Sequence, residues 1–328
     1  MITALAGGVG AARFLVGLSE AVEPSEICVI VNTGDDEVLH GLHISPDLDT
    51  VTYTLAGAIN PHTGWGLAGE TWAAMEALER YGGKSWFRLG DSDLGTHLYR
   101  TQRLAEGAPL SAITAEIANS WGLAQRLIPM SDDPVRTRLI LAKPEVPDPT
   151  PSGQEDHRSG GREGGREVAF QDYFVRLHHD VAVSAVRFDG AARSTPAPGV
   201  LDAIQRADRL FVCPSNPILS IGPILSVPGI RSALEARRDH TVAISPIVAG
   251  AAIKGPADRL MSELGQEASV VGVARAWAPI ASTLVIDTAD AHLAPAVEAE
   301  GIACLVTPTV MSRPGVAAAL ARLVLRQR

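Results

Sequence analysis

Short apolar runs rich in β-branched residues alternate along this chain with longer stretches whose apolar positions recur every three to four residues. The short runs predict strands at Ile2–Leu5, Ile27–Val31, Val181–Val186, Leu210–Cys213, Thr241–Ile244, Ser269–Val273, Thr283–Ile286 and Ala303–Val306. The longer stretches predict helices at Ala12–Ala21, Thr71–Arg80, Leu98–Glu106, Leu110–Ser120, Gly199–Ala207, Ile230–Arg237, Pro256–Glu263, Ala291–Ala299 and Val316–Leu325. Such alternation predicts an α/β fold: a doubly wound, mainly parallel, Rossmann-like sheet with helices on both faces. Ligands of such sheets sit beyond the carboxyl ends of the strands, so the loops that follow strands are where chemistry is expected.

Two stretches depart from the alternation. Residues 50–131 are mostly helical with no convincing strand, and predict a helical insert or cap beside the sheet. Pro147 to Arg166 is rich in Pro, Gly and charge and has too little apolar surface to bury, which predicts a flexible loop. Its flanks, Arg138–Ala142 and Val168–Phe170, look like the paired strands of a β-hairpin. There is no internal repeat, and 1–328 reads as one α/β domain.

Composition narrows the function. Aromatics are only 5% of 328 residues, so small aliphatic side chains must build the core. A net charge of −9 argues against a broad nucleic-acid surface but leaves room for one basic pocket around a phosphorylated ligand. The first apolar run passes directly into Gly7-Gly8, with no leader-like segment, and the run Val242–Ile253 is too short to span a bilayer. A cytoplasmic protein without a membrane partner is the expectation. Cys28, Cys213 and Cys304 lie in strand-like runs without metal spacing, as buried thiols do. The nine His residues show no zinc spacing, and no G-x-S-x-G elbow occurs.

The candidate chemistry lies after strands. Gly7-Gly8-Val9-Gly10 opens a helix, where glycine lets a ligand approach the backbone and the helix N-terminus favours a phosphate. Arg13 stands where a dinucleotide fingerprint would have its third Gly, so a nicotinamide dehydrogenase is disfavoured. Asn32-Thr33-Gly34-Asp35-Asp36 follows the second strand; its two acids suit either cation handling or a turn with one solvated carboxylate. Ser45-Pro46-Asp47-Leu48-Asp49-Thr50 opens a helical run, where the Asp pair serves either as an N-cap or as a hard-cation site. Trp86-Phe87-Arg88-Leu89-Gly90-Asp91-Ser92-Asp93 suits either a wall for a flat ring or a loop packed into the core. Pro-rich loops with polar side chains, Ser215-Asn216-Pro217 and Ser245-Pro246 with Lys254 behind it, follow two successive central strands and suit ligand contact.

Taken with Pro129-Met130-Ser131-Asp132-Asp133 and the run Pro214 to Leu225, these motifs, in this order, resemble the 2-phospho-L-lactate transferases over roughly Met1 to Gly255. The resemblance implies a reaction. The acceptor is the 8-hydroxy-5-deazariboflavin called Fo, and the donor is a guanosine diphosphate carrying a small acid (lactyl, phosphoenolpyruvyl or glyceryl). The ribityl hydroxyl attacks the phosphorus next to the acid, GMP leaves, and a phosphodiester of the coenzyme F-420 series forms. Magnesium and a homodimer are expected with it. On this reading Asp49 and Asp47 bind magnesium and serve catalysis. Gly8, Gly10, Arg13, Asn32, Ser215, Asn216, Pro217 and Ser245 bind the donor, and Asp49, Arg88 and Asp91 face the deazaflavin. The alternative is a related family of nucleotide-sugar-binding regulators of carbon metabolism, which share the Gly-rich start but lack a match to Ser45–Thr50.

Overall fold

A computed structural model describes residues 1–142 and 165–327 of the chain. Of the segment expected to be a flexible loop, 147–166, all but the last two residues lie outside the described residues.

Strand β1 (Ile2–Ala6) leads into helix α1 (Gly8–Ser19), and β2 (Ile27–Val31) follows. A small hairpin, β3 (Glu37–Leu39) and β4 (Leu42–Ile44), precedes helices α2 (Pro46–Leu55), α3 (Ala73–Arg80), α4 (Asp93–Ala105) and α5 (Leu110–Ser120). After β5 (Arg126–Pro129), strands β6 (Arg136–Leu141), β7 (Glu167–Ala169) and β8 (Val183–Asp189) form a separate antiparallel sheet with β6 in its middle. Helix α6 (Val200–Arg206) and β9 (Arg209–Val212) follow, then α7 (Gly222–Ser226), α8 (Ile230–Glu235) and β10 (Thr241–Ile244). A second small hairpin, β11 (Ile247–Val248) and β12 (Ala251–Ala252), leads to α9 (Ala257–Glu263) and α10 (Val270–Trp277). The chain closes with β13 (Thr283–Ile286), α11 (Ala294–Ala299), β14 (Ala303–Val306) and α12 (Val316–Val324).

The central sheet has seven strands in the order β14-β13-β10-β9-β1-β2-β5, and every pairing is parallel. Its inner strands are buried on both faces, which is why they read as unbroken apolar runs. Alternate residues serve opposite faces. Leu5, Ile30, Leu210 and Ala243 pack toward α6, α8 and α10, whereas Ala4, Val29, Phe211 and Val242 pack toward α1 and α12. The expected doubly wound sheet with helices on both faces is therefore the fold. The chain builds outward from β1 to β2 and β5, then returns to the other side of β1 at β9. That reversal is a topological switch point, and it opens a crevice beyond the carboxyl ends of β1 and β9.

Three expectations need correction. Ser269–Val273 is helical: the Ser269 hydroxyl accepts from the amides of Val271 and Gly272 at 3.1 and 3.2 Å and starts α10. Its apolar run is a buried helix, which periodicity over five residues cannot separate from a strand. Residues 50–131 do contain a strand, β5, at the edge of the sheet, where exposed Arg126 and terminal Pro129 disguise it. The strand expected at Val181–Val186 begins two residues later and pairs with β6 in the antiparallel sheet. The hairpin flanks Arg138–Ala142 and Val168–Phe170 do pair as expected, through Arg138–Ala169 and Leu139–Val168. Among the described residues no helix is long and apolar enough to cross a membrane.

Candidate active site

The turn between β1 and α1 lies in the switch-point crevice, and glycine is sterically required there. A Cβ on Gly7 would lie 2.7 Å from Ser220 Cβ and 2.9 Å from Asp47 Oδ2, and one on Gly10 would run into the Pro214 carbonyl. Gly8 has φ +71°, a conformation that side chains disfavour. The turn is bound to the loop after β9: the Ser215 hydroxyl donates to the Gly7 carbonyl at 2.8 Å. Asn216 Oδ1 accepts from the amides of Ile218 and Leu219, starting a wide helical turn at Pro217. Arg13 is half-buried one turn into α1. Ser245, buried at the end of β10, closes a turn with Ile247. Behind it, Lys254 Nζ donates to the Thr63 carbonyl at 3.0 Å.

On the β2 side the chain supplies carboxylates. Asn32 Nδ2 donates to Asp47 Oδ2 at 2.9 Å while its Oδ1 accepts from the Gly34 amide. Asp47 also receives the Gly8 amide, so one residue joins α2 to the Gly-rich turn. Asp35 and Asp36 are both buried, which rules out the turn with a solvated carboxylate. Asp35 Oδ1 and Asp36 Oδ1 have no hydrogen-bond partner. Burial pushes Asp47 up to about 6, against the opposing bonds from Asn32 and Gly8, and pushes Asp36 up to about 7. Burial, then the neighbouring charges of Asp47 and Asp36, holds Asp35 well above the usual carboxylate range. A buried carboxylate with an unmet oxygen beside a second buried carboxylate calls for a proton or a cation.

Asp47 and Asp49 part company in α2, and neither caps it: the helix starts at Ser45 without a side-chain cap. Asp49 faces α4. The Arg100 guanidinium grips both its oxygens, and His97 Nδ1 lies 3.7 Å from Oδ2. His97 Nε2 lies 3.3 Å from Asp93, which in turn accepts from the Tyr53 hydroxyl at 2.6 Å. Asp49, Asp93 and His97 offer ligand atoms within 4.8 Å of one another, a set that could hold a metal ion. There Arg100 already counters the Asp49 charge, although His97 Nε2 has no hydrogen-bond partner; the unmet carboxylate oxygens are at Asp35 and Asp36.

The aromatic motif lies at the α3–α4 junction. The Asp91 carboxylate caps α3 by accepting from the amides of Ala73 and Ala74 at 2.9 and 3.0 Å. The exposed Arg88 guanidinium stacks 4.5 Å over the Trp72 ring. Trp86 and Phe87 meet edge to face, and Phe87 packs against the small cluster of Ile44, Met75 and Leu89. Thus the structure brings together Gly8, Gly10, Asn32, Asp47, Ser215 and Asn216. Arg88 and Asp91 make their contacts in the helical insert instead. His97 and Arg100 were not singled out from the sequence, although Asp93, His97 and Arg100 have the i, i+4, i+7 spacing of one helix face. Burial pushes the Cys28 and Cys213 thiols up, as inert core residues.

Comparison with known proteins identifies the family and the fold. The family model described as 2-phospho-L-lactate transferase CofD matches residues 2–307. A phosphoenolpyruvate transferase of Kitasatospora aureofaciens is 46% identical over 327 residues, covering 99% of this chain and 96% of that protein. One from Streptomyces griseus is 43% identical, covering 99% and 97%, and one from a Mycobacterium species (strain JLS) is 38% identical, covering 99% and 98%. A crystal structure of a UPF0052-family protein from Bacillus halodurans superposes with a TM-score of 0.59 at 16% identity, covering 99% of this chain and 98% of that one; it shares the fold.

Proposed function

The chain belongs to the family described as 2-phospho-L-lactate transferase CofD and is a transferase, and from that premise we propose which group it transfers and onto what. The donor is a guanosine diphosphate esterified to a three-carbon acid, the acceptor is the ribityl hydroxyl of Fo, and the products are GMP and a phosphodiester precursor of coenzyme F-420. Relatives at 37–46% identity are named phosphoenolpyruvate transferases, so the phosphoenolpyruvyl form of the donor is favoured over the lactyl. We propose one cytoplasmic α/β domain that works as a homodimer.

The observation that carries this reading is the pair of buried carboxylates, Asp35 and Asp47, beside a Gly-rich turn at the switch point. Two buried acids, one of them with an unmet oxygen, next to a phosphate-binding turn suit a divalent cation shared with a diphosphate. Asp35 and Asp47 would hold magnesium, which when bound neutralises charge on the diphosphate during transfer. The Gly7–Gly10 backbone and the start of α1, with Arg13, hold the phosphates. Asn216, Pro217 and the Ser245 loop bound the guanosine side, and Ser215 keeps that loop against the turn. Asp49, fixed by Arg100, orients the attacking hydroxyl, and the insert around Trp86 and Arg88 supplies a wall for the ring. Phosphoryl-type transfer needs positioning and charge neutralisation more than covalent help, and this arrangement offers both.

Fo is fluorescent, so its binding can be titrated directly. Fo is expected to bind the protein and to bind more tightly with GDP and magnesium present. Absence of Fo binding under all conditions would remove the acceptor from the proposal.

A further inference from the structure

A small acid esterified to phosphate carries a carboxylate, and none of the groups assigned to the diphosphate recognises it. Beyond the ends of β2 and β5 lies a partly open cavity of about 80 Å³, lined among others by Thr33, Asp36, Ser45, Arg100, Leu110 and Arg136. At roughly 10–15 Å³ per ordered water that is space for about six waters: a three-carbon acid fits, a three-ring flavin does not. The strand order puts this cavity on the opposite side of the Gly-rich turn from the loops after β9 and β10. A donor with its nucleoside at those loops and its diphosphate at the turn would therefore direct its acid here.

Arg136, the first residue of β6, is the available cation of this wall. It is half-buried, and its Nη1 donates to the carbonyl of Val135 at 3.1 Å. Among the described residues no acid lies within ion-pair distance of it, although its charge reaches buried Asp36 and lowers that carboxyl against burial. Arg100 in the same wall is committed to Asp49. Most oxygens of the nearby acids are also engaged, Asp36 Oδ1 excepted. Asp132 accepts from the Ser111 amide and hydroxyl at 2.6 and 2.9 Å, and Asp133 from the Thr195 amide and hydroxyl at 2.8 and 3.0 Å. The Ser45 hydroxyl donates to Asp36 Oδ2 at 2.7 Å. Glu37 lies at the same wall. Arg136 also lines a wider, more open cavity of about 380 Å³ with Asp189 and Arg193, so it is shared by the two spaces.

We infer that Arg136 receives the carboxylate of the donor's organic acid and so selects phosphoesters that carry a carboxylate beside the ester carbon. The inference rests on the transferase reading above. A guanidinium presents two parallel N–H donors that match a carboxylate, which a lone ammonium does not.

The test compares two donors, guanosine diphosphate esterified to enolpyruvate and a counterpart esterified to isopropenyl alcohol, in which a methyl replaces the carboxylate, with Fo and magnesium saturating. Arg136→Gln is expected to raise KM for the enolpyruvyl donor by about 10- to 100-fold, the range for losing a charge-assisted pair. KM for Fo and for the isopropenyl donor should not change, and Arg136→Lys should recover part of the loss. Equal losses on both donors, or a change confined to Fo, would overturn the inference. If the parent protein transfers nothing from any guanylylated acid, the transferase reading fails. Calorimetric titration of phosphoenolpyruvate and isopropenyl phosphate then decides the matter for Arg136. Weaker phosphoenolpyruvate binding by Arg136→Gln supports the inference, and equal binding by parent and variant refutes it.

Discussion

Asp35, Asp36 and Asp47 are acids that the fold buries together, and one oxygen each of Asp35 and Asp36 has no hydrogen-bond partner. Burial lifts Asp36 to about 7 and Asp47 to about 6 from an ordinary 3.8, and lifts Asp35 well above the usual carboxylate range. A carboxyl with a higher value folded than unfolded holds its proton more tightly when folded. Its contribution to stability is complete below about pH 4 and is lost as pH rises through its folded value. Without divalent cations the protein should therefore lose thermal stability between about pH 4 and pH 7 on account of this cluster. Magnesium should restore it more at about pH 8 than at about pH 5, because protons compete for the same oxygens. Asp47→Asn should flatten the pH slope, shrink the magnesium effect and lower transfer by about two to three powers of ten. An unchanged slope and magnesium response in scanning calorimetry would place the cation elsewhere. Both acid pairs could be picked out from the sequence by type and spacing. What it did not disclose is that Asp47 and Asp49 turn to different partners, because that depends on where α4 packs.

Helices α2 and α4 are joined by polar groups that the solvent barely reaches. Arg100 is 2% exposed and bound to Asp49; Tyr53 and His97 meet Asp93. Removing one partner of such a buried pair leaves a charge without compensation, which typically costs about 3–5 kcal/mol. Arg100→Ala should lose that much in urea denaturation, and Arg100→Met combined with Asp49→Leu should recover most of the stability while transfer stays absent. A loss below about 1 kcal/mol, the range of a surface pair, would show that the link is not buried in solution. Helices with strong periodicity, such as α5 and α12, were legible nearly to the residue. The five-residue apolar run at Ser269 was not, since only the cap made by its hydroxyl distinguishes it from a strand.

At the scale of the whole molecule the strand order accounts for where everything else lies. β1 stands between the two halves of the sheet, and its turn meets the β9 loop through Gly7 and Ser215 and the β2 side through Asp47. The fold class was readable because parallel strands buried on both faces leave unbroken apolar runs. The edge strand β5 was not, because its exposed Arg126 and terminal Pro129 interrupt that signal. From this layout the proposed reaction runs along one line of loops, with nucleoside, diphosphate and acid in order from β10 to β5. The most direct measurement is to incubate the protein with Fo, magnesium and each guanylylated acid in turn, and to read the products by mass. The account expects GMP and a deazaflavin phosphodiester, formed only when Fo, magnesium and a complete donor are all present, and fastest with the enolpyruvyl donor. No transfer from any donor, alongside tight binding of a uridine diphosphate sugar, would contradict it.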